Sequence, residues 1–131
     1  MARVQLALNV ADLDTAIDFY SRLFDTAPAK VQPGYANFAI ADPPLKLVLF
    51  EGAAPGTINH LGVEVTTSEE VTATNARLNE QGVDTATEDQ VDCCFALQDK
   101  TWIEAPDAVR WEIYTVLEDT QPTADAAPCC T

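Results

Sequence analysis

Apolar and polar positions alternate in short bursts along this chain, and helical spacings and turn residues separate the bursts. Val4–Val10 and Ile58–Val65 read as strands. So do Tyr35–Ile40 and Leu45–Phe50, split by the turn Asp42-Pro43-Pro44. Asp12 is placed to cap a helix whose Ala16, Ile17, Phe19, Tyr20, Leu23 and Phe24 form one apolar face. A further short strand fits around Ala29–Gln32, and Gly52–Gly56 reads as a linker. Beyond it Thr67 or Ser68 caps a second helix through Val71 and Leu78, stopped at Gly82, with Glu69 and Glu70 suited to its N-terminus. Val83–Thr87, Cys94–Gln98 and Thr101–Glu104 are weaker strands, and the polar run Glu88–Asp92 reads as a loop. Pro106-Asp107 makes a turn before the closing strand Trp111–Leu117.

The order repeats. Gln5-Leu6-Ala7-Leu8-Asn9-Val10 overlays His60-Leu61-Gly62-Val63-Glu64-Val65 at an offset of 55 residues, and Leu23 overlays Leu78 at the same offset. An internal repeat of this kind fixes the expected architecture. It predicts an α+β fold of two βαβββ modules, about 1–52 and 57–117, pairing into a curved, partly open barrel within one domain. From Glu118 to Thr131 the composition turns to Asp, Thr, Pro and Ala, which predicts an acidic mobile tail.

Composition narrows the functional classes. A chain of 131 residues with 47% hydrophobic content can bury a core. A net charge of −14 leaves nothing to neutralise phosphates, so nucleic acid and anionic membrane are excluded as partners. The start MARVQLALNV has neither a long apolar core nor a cleavage site, and no run reaches membrane-spanning length, so a cytoplasmic protein is expected. The four cysteines form two adjacent pairs, Cys93-Cys94 and Cys129-Cys130. Neighbouring cysteines make a poor disulfide framework, and in a reducing compartment paired thiols point to soft-metal or redox chemistry.

The candidate chemistry begins at His60, the chain's one histidine. The repeat sets Gln5 at the matching strand start, and Glu112 stands inside the otherwise apolar final strand, where a carboxylate needs a cation or partner. Gln5, His60 and Glu112 together offer one imidazole and two oxygen ligands on three strands. Such a set leaves coordination positions open, as in the facial triads that hold non-haem Fe(II). The place of Glu112 in the first module falls near Leu47 or Val48, so a fourth protein ligand is missing. Cys93 and Cys94 suit a thiophilic ion, such as trivalent arsenic, cadmium or zinc, if they sit on a loop or irregular edge rather than in a regular strand. Phe95, Lys100 and Trp102 could line the same pocket, with Lys100 offsetting the acidic surroundings of the thiols.

At these residues the chain resembles the vicinal oxygen chelate superfamily of glyoxalases, bleomycin-resistance proteins and extradiol dioxygenases. Within it, RVQLALNV, PGYANFAIADPPLKLVL, NHLGVEV, CC-x-A-x-QDK-x-W and WEIYTVL resemble the organoarsenical C–As bond lyases and the related cadmium-induced proteins. The resemblance implies Fe(II) held by Gln5, His60 and Glu112, with O2 as co-substrate. It also implies a trivalent organoarsenical, methyl- or aryl-As(III), held by Cys93 and Cys94, and release of arsenite. Two departures stand out: Phe95, where a hydroxylated aromatic is expected, and Ala108-Val109-Arg110, where more glycine is expected. A cadmium- or zinc-binding stress protein without turnover and a glyoxalase-type isomerase or lyase are the alternatives. Whether the modules pair within one chain or across a homodimer stays open at this level.

Overall fold

The computed structural model describes residues 2–52 and 54–119, without the side chain of Cys93. The tail from Thr120, with Cys129 and Cys130, lies outside the described residues. Two compact units divide the chain, Arg3–Leu61 and residues 62–119, the latter joined by Ala2.

In the first unit β1 (Arg3–Val10) leads into α1 (Leu13–Leu23), followed by β2 (Lys30–Gln32), β3 (Tyr35–Ile40) and β4 (Leu45–Glu51). The Asp12 carboxylate accepts from Thr15 N at 2.9 Å and starts α1 as its N-cap. The strand order is β2-β3-β4-β1, with β1 parallel to β4 and the other pairs antiparallel. Register sorts the side chains into two faces. Leu6, Leu8, Ala36, Phe38, Ile40, Leu47 and Leu49 pack with Leu13, Ala16, Ile17, Tyr20 and Phe24 of α1, and this is the apolar core. The opposite face carries Gln5, Ala7 and Asn9 on β1, Lys46, Val48 and Phe50 on β4, and Tyr35 and Asn37 on β3. Gln5, Ala7, Tyr35, Asn37 and Val48 are buried there, so much of this second face is withdrawn from water although it is partly polar.

The second unit repeats the plan. β5 (Ile58–Glu64) begins at the end of the first unit and precedes α2 (Ser68–Glu80), β6 (Ala86–Cys93), β7 (Ala96–Glu104) and β8 (Arg110–Asp119). α2 opens with a reciprocal capping box between Thr67 and Glu70. The order is β5-β8-β7-β6, with both β7 pairings antiparallel. Asp99 and Thr101 face α2, where Ser68 Oγ donates to Asp99 at 2.6 Å and Thr101 Oγ1 donates to Asn75 at 3.1 Å. Gln98, Lys100 and Trp102 occupy the other face beside Glu112 and Tyr114.

Each unit therefore carries the expected βαβββ order of a mixed α+β fold. Three segments differ from the sequence reading. Glu88–Asp92, read as a loop, belongs to β6, an edge strand bulged between Glu88 and Val91. The two weak strands Cys94–Gln98 and Thr101–Glu104 merge from Ala96 onward into one continuous strand, β7, and Cys94 and Phe95 form the turn before it. β8 runs through Asp119, two residues into the stretch assigned to the tail. Among the described residues no helix is long and apolar enough to cross a membrane.

Candidate functional site

The polar, buried sheet faces hold the candidate ligands. In the first unit Gln5 and His60 keep only 4% and 2% exposure, and Gln5 Nε2 lies 3.2 Å from His60 Nε2. The repeat match at an offset of 55 residues thus becomes a direct contact between neighbouring strands. His60 Nδ1 lies 2.8 Å from Asn59 Oδ1. The Phe50 ring stands 6.2 Å from the imidazole between centroids, with Tyr35 edge-on to Phe50 at 5.5 Å. Asn37 Nδ2 donates to the Tyr35 hydroxyl at 2.9 Å.

In the second unit Glu112 is 2% exposed and Lys100 is fully buried, with Lys100 Nζ 3.1 Å from Glu112 Oε1. The ammonium also lies 5.2 Å from the Trp102 ring and 5.8 Å from the Tyr114 ring. Trp102 Nε1 donates to Glu88 at 2.7 Å, and the Arg110 guanidinium stacks on the indole face at 4.1 Å. The sequence reading assigned Lys100 to the thiols. In the structure Lys100 forms an ion pair with Glu112.

The thiol hairpin has its own geometry. Cys93 pairs with Ala96 across β6 and β7, leaving Cys94 and Phe95 as a two-residue loop with φ of +53° and +65°. Positive φ at both central positions defines a type I′ turn, which normally takes Asn-Gly. A left-handed non-glycine residue costs about 1–2 kcal/mol, and strain of this sort persists where surrounding structure and function hold it. Cys94 is disulfide-bonded. Further back along β6 and β7, the hairpin is braced by Asp99, whose Oδ1 accepts from Gln90 N at 2.7 Å in the bulge.

An imidazole nitrogen, a carboxylate and a carboxamide oxygen are a donor set that fits a divalent first-row ion with open positions. All three side chains are buried, Gln5 beside His60 in the first unit and Glu112 paired with Lys100 in the second. Sequence reasoning missed Asn59 as a partner of the histidine. Its signal was plain: a carboxamide directly before the chain's one imidazole.

Two repeated units, each presenting a buried polar face on its sheet, define an α+β protein of the paired βαβββ class. The chain belongs to the Glyoxalase/Bleomycin resistance protein/Dioxygenase superfamily, whose family model matches residues 3–113. Cadmium-induced protein CadI of Mycobacterium tuberculosis is 62% identical over 122 residues, 92% of this chain and 80% of that protein. A protein named trivalent organoarsenical cleaving enzyme, from Thermomonospora curvata, is 54% identical over 135 residues, 100% of this chain and 89% of its own. Among solved structures, the Mn(II)-bound glyoxalase from Novosphingobium aromaticivorans superposes with a TM-score of 0.65 at 18% identity, over 94% of this chain and 43% of that one. A homoprotocatechuate 2,3-dioxygenase from Brevibacterium fuscum gives 0.64 at 20% identity, over 91% of this chain and 33% of that one. These structures share the fold.

Proposed function

We infer that this protein is an enzyme that cleaves the carbon–arsenic bond of trivalent organoarsenicals, using Fe(II) and O2, and releases arsenite. The observation that carries the reading is the left-handed Cys94–Phe95 turn, which keeps a cysteine pair at a hairpin tip at a cost in backbone strain. The full-length similarity to a relative named for organoarsenical cleavage supports it.

Gln5, His60 and Glu112 would hold the metal. Bound there, ferrous iron supplies the activation of dioxygen. Cys93 and Cys94, reduced, displace hydroxide from arsenic and hold it through two sulfurs, which fixes its orientation as one sulfur cannot. Phe50 and Tyr35 give the first unit's buried face an aromatic wall beside His60. The overall reaction balances: methyl-As(III) hydroxide and O2 yield arsenous acid and formaldehyde, the oxidation of carbon matching the reduction of dioxygen. Arsenic stays trivalent throughout.

The 62% identity to a cadmium-induced protein favours a second reading, in which the same thiols sequester a soft cation without turnover. One experiment separates them. Reduced protein is loaded with Fe(II) under anaerobic conditions, given methyl-As(III), then exposed to air while arsenite is measured. Arsenite released in step with O2 uptake is expected. Methyl-As(III) that stays bound and intact would overturn the cleavage reading.

A further inference from the structure

His60 is tied to a chain of hydrogen bonds that ends at the protein surface. Its Nδ1 lies 2.8 Å from Asn59 Oδ1. Asn59 Nδ2 donates to Asn9 Oδ1 at 3.0 Å, and Asn9 Nδ2 donates to Thr57 Oγ1 at 2.9 Å. The Thr57 hydroxyl donates to the carbonyl of Ala54. Backbone bonds hold the same region, from Asn9 N to Thr57 O and from Gly56 N to Asn9 O, each 2.9 Å.

The far end fixes the direction of the whole series. A carbonyl oxygen only accepts, so the single hydroxyl proton of Thr57 goes to Ala54. Thr57 Oγ1 must then accept from Asn9, which obliges Asn9 to offer Nδ2 there and Oδ1 to Asn59. Asn59 in turn offers Nδ2 to Asn9 and Oδ1 to the imidazole. Only an N–H can face that oxygen, so Nδ1 carries the ring proton. In a neutral imidazole Nε2 is left with the lone pair. Nε2 is the atom turned toward Gln5.

We propose that Asn9 and Asn59 are positioning residues that, anchored through Thr57 on the Ala54 carbonyl, hold His60 as its Nδ1–H tautomer and present Nε2 as a ligand nitrogen. This rests on the reading of His60 as a metal ligand, and it adds which ring nitrogen serves and what selects it. An oxygen acceptor behind a ligating imidazole orients the ring and raises its basicity.

The chain's one histidine makes the test direct, because a nitrogen-15 spectrum of the labelled protein shows one imidazole and needs no assignment. Metal-free protein is measured well above the ordinary imidazole range. The wild type is expected to show a protonated Nδ1 and a pyridine-type Nε2. Asn59→Ala should shift the ring toward Nε2–H, and Asn59→Asp, which keeps an oxygen at that place, should restore Nδ1–H. Asn9→Ala and the surface variant Thr57→Val should give intermediate mixtures, and Thr57→Val keeps the test alive if the others fold poorly. In a Co(II) titration Asn59→Ala should bind about 10–100-fold more weakly, with Asn59→Asp close to wild type. An Nε2–H ring in the wild type, or a ring unmoved by Asn59→Ala, would overturn the proposal. A wild type with the Nδ1–H ring, lost in Asn59→Ala, that takes up no Co(II) would support the relay and remove the metal reading alone.

Discussion

Lys100 Nζ stands 3.1 Å from Glu112 Oε1, with both side chains sealed from solvent. Desolvating two such charges costs several kcal/mol each, and their attraction repays it only while both are present. Lys100→Met should therefore destabilise the metal-free protein by about 3–5 kcal/mol, because a carboxylate is left buried without its counter-ion. The double variant Lys100→Met with Glu112→Leu should regain most of that loss. Urea midpoints at neutral pH check both. Equal losses in the single and double variants would show that the pair is not coupled.

The metal assignment is testable ligand by ligand. His60→Ala and Glu112→Ala should abolish stoichiometric Fe(II) binding while the circular dichroism spectrum stays close to wild type. Gln5→Ala should weaken binding rather than abolish it, since a neutral amide is the weakest donor of the three. Full iron content in both the His60 and Glu112 variants would eliminate the site.

How much of this was legible in the sequence depended on what each residue faces. β1, β3, β4 and both helices lie against an apolar core or carry a side-chain cap, so alternation and Asp12 or Thr67 announced them, and β5 repeats the pattern of β1. β6, with the sequence ATEDQVDC, is held by backbone bonds to β7 at a sheet edge, and its mostly polar side chains gave no period to read. The Gln5–His60 contact could be anticipated because the repeat sets both at matching strand starts. The Lys100–Glu112 pair could not, because it depends on which residues of β7 and β8 come opposite each other. Nor does Cys-Phe resemble the Asn-Gly signal of the turn it occupies.

Acid should weaken the start of α1. The backbone N–H of Thr15, with smaller help from its side chain, holds the Asp12 carboxyl below its ordinary value. A depressed folded-state pKa contributes stability above the unfolded pKa, and that contribution fades as pH falls through the folded one. Wild type should thus exceed Asp12→Ala in thermal midpoint by a constant margin at neutral pH, and the margin should close below the ordinary carboxylate range. A margin that persists in strong acid would mean the cap does not act through the ionised carboxylate.

Before β8 the turn carries Asp107 and Ala108 at φ of +66° and +61°. The backbone there takes the left-handed form that glycine adopts without a Cβ clash. Ala108→Gly should raise stability by up to about 1 kcal/mol, relief of strain outweighing the added freedom of the unfolded chain. A lower denaturation midpoint for Ala108→Gly would show that the alanine is held there without strain.

The cysteines separate the cleavage reading from its rivals. A metal site of one imidazole and two oxygen donors serves many reactions, so it does not name the substrate. Two adjacent thiols do, because trivalent arsenic exchanges oxygen for sulfur and two sulfurs hold it far longer than one. Cys93→Ser and Cys94→Ser should each leave Fe(II) binding unchanged, as sulfur is outside the proposed ligand set. Each should lower capture and turnover of methyl-As(III) sharply, and pentavalent arsenicals should bind neither form. Because Cys94 is disulfide-bonded in this structure, capture should also require a thiol reductant, and blocking the reduced thiols should mimic the serine variants. A glyoxalase-type enzyme would instead keep full activity on a glutathione hemithioacetal in both variants. A cadmium-sequestering protein would bind Cd(II) through the thiols yet release no arsenite. A double serine variant that releases arsenite at the wild-type rate would remove the thiols from the reaction, and with them the case for arsenic as the substrate.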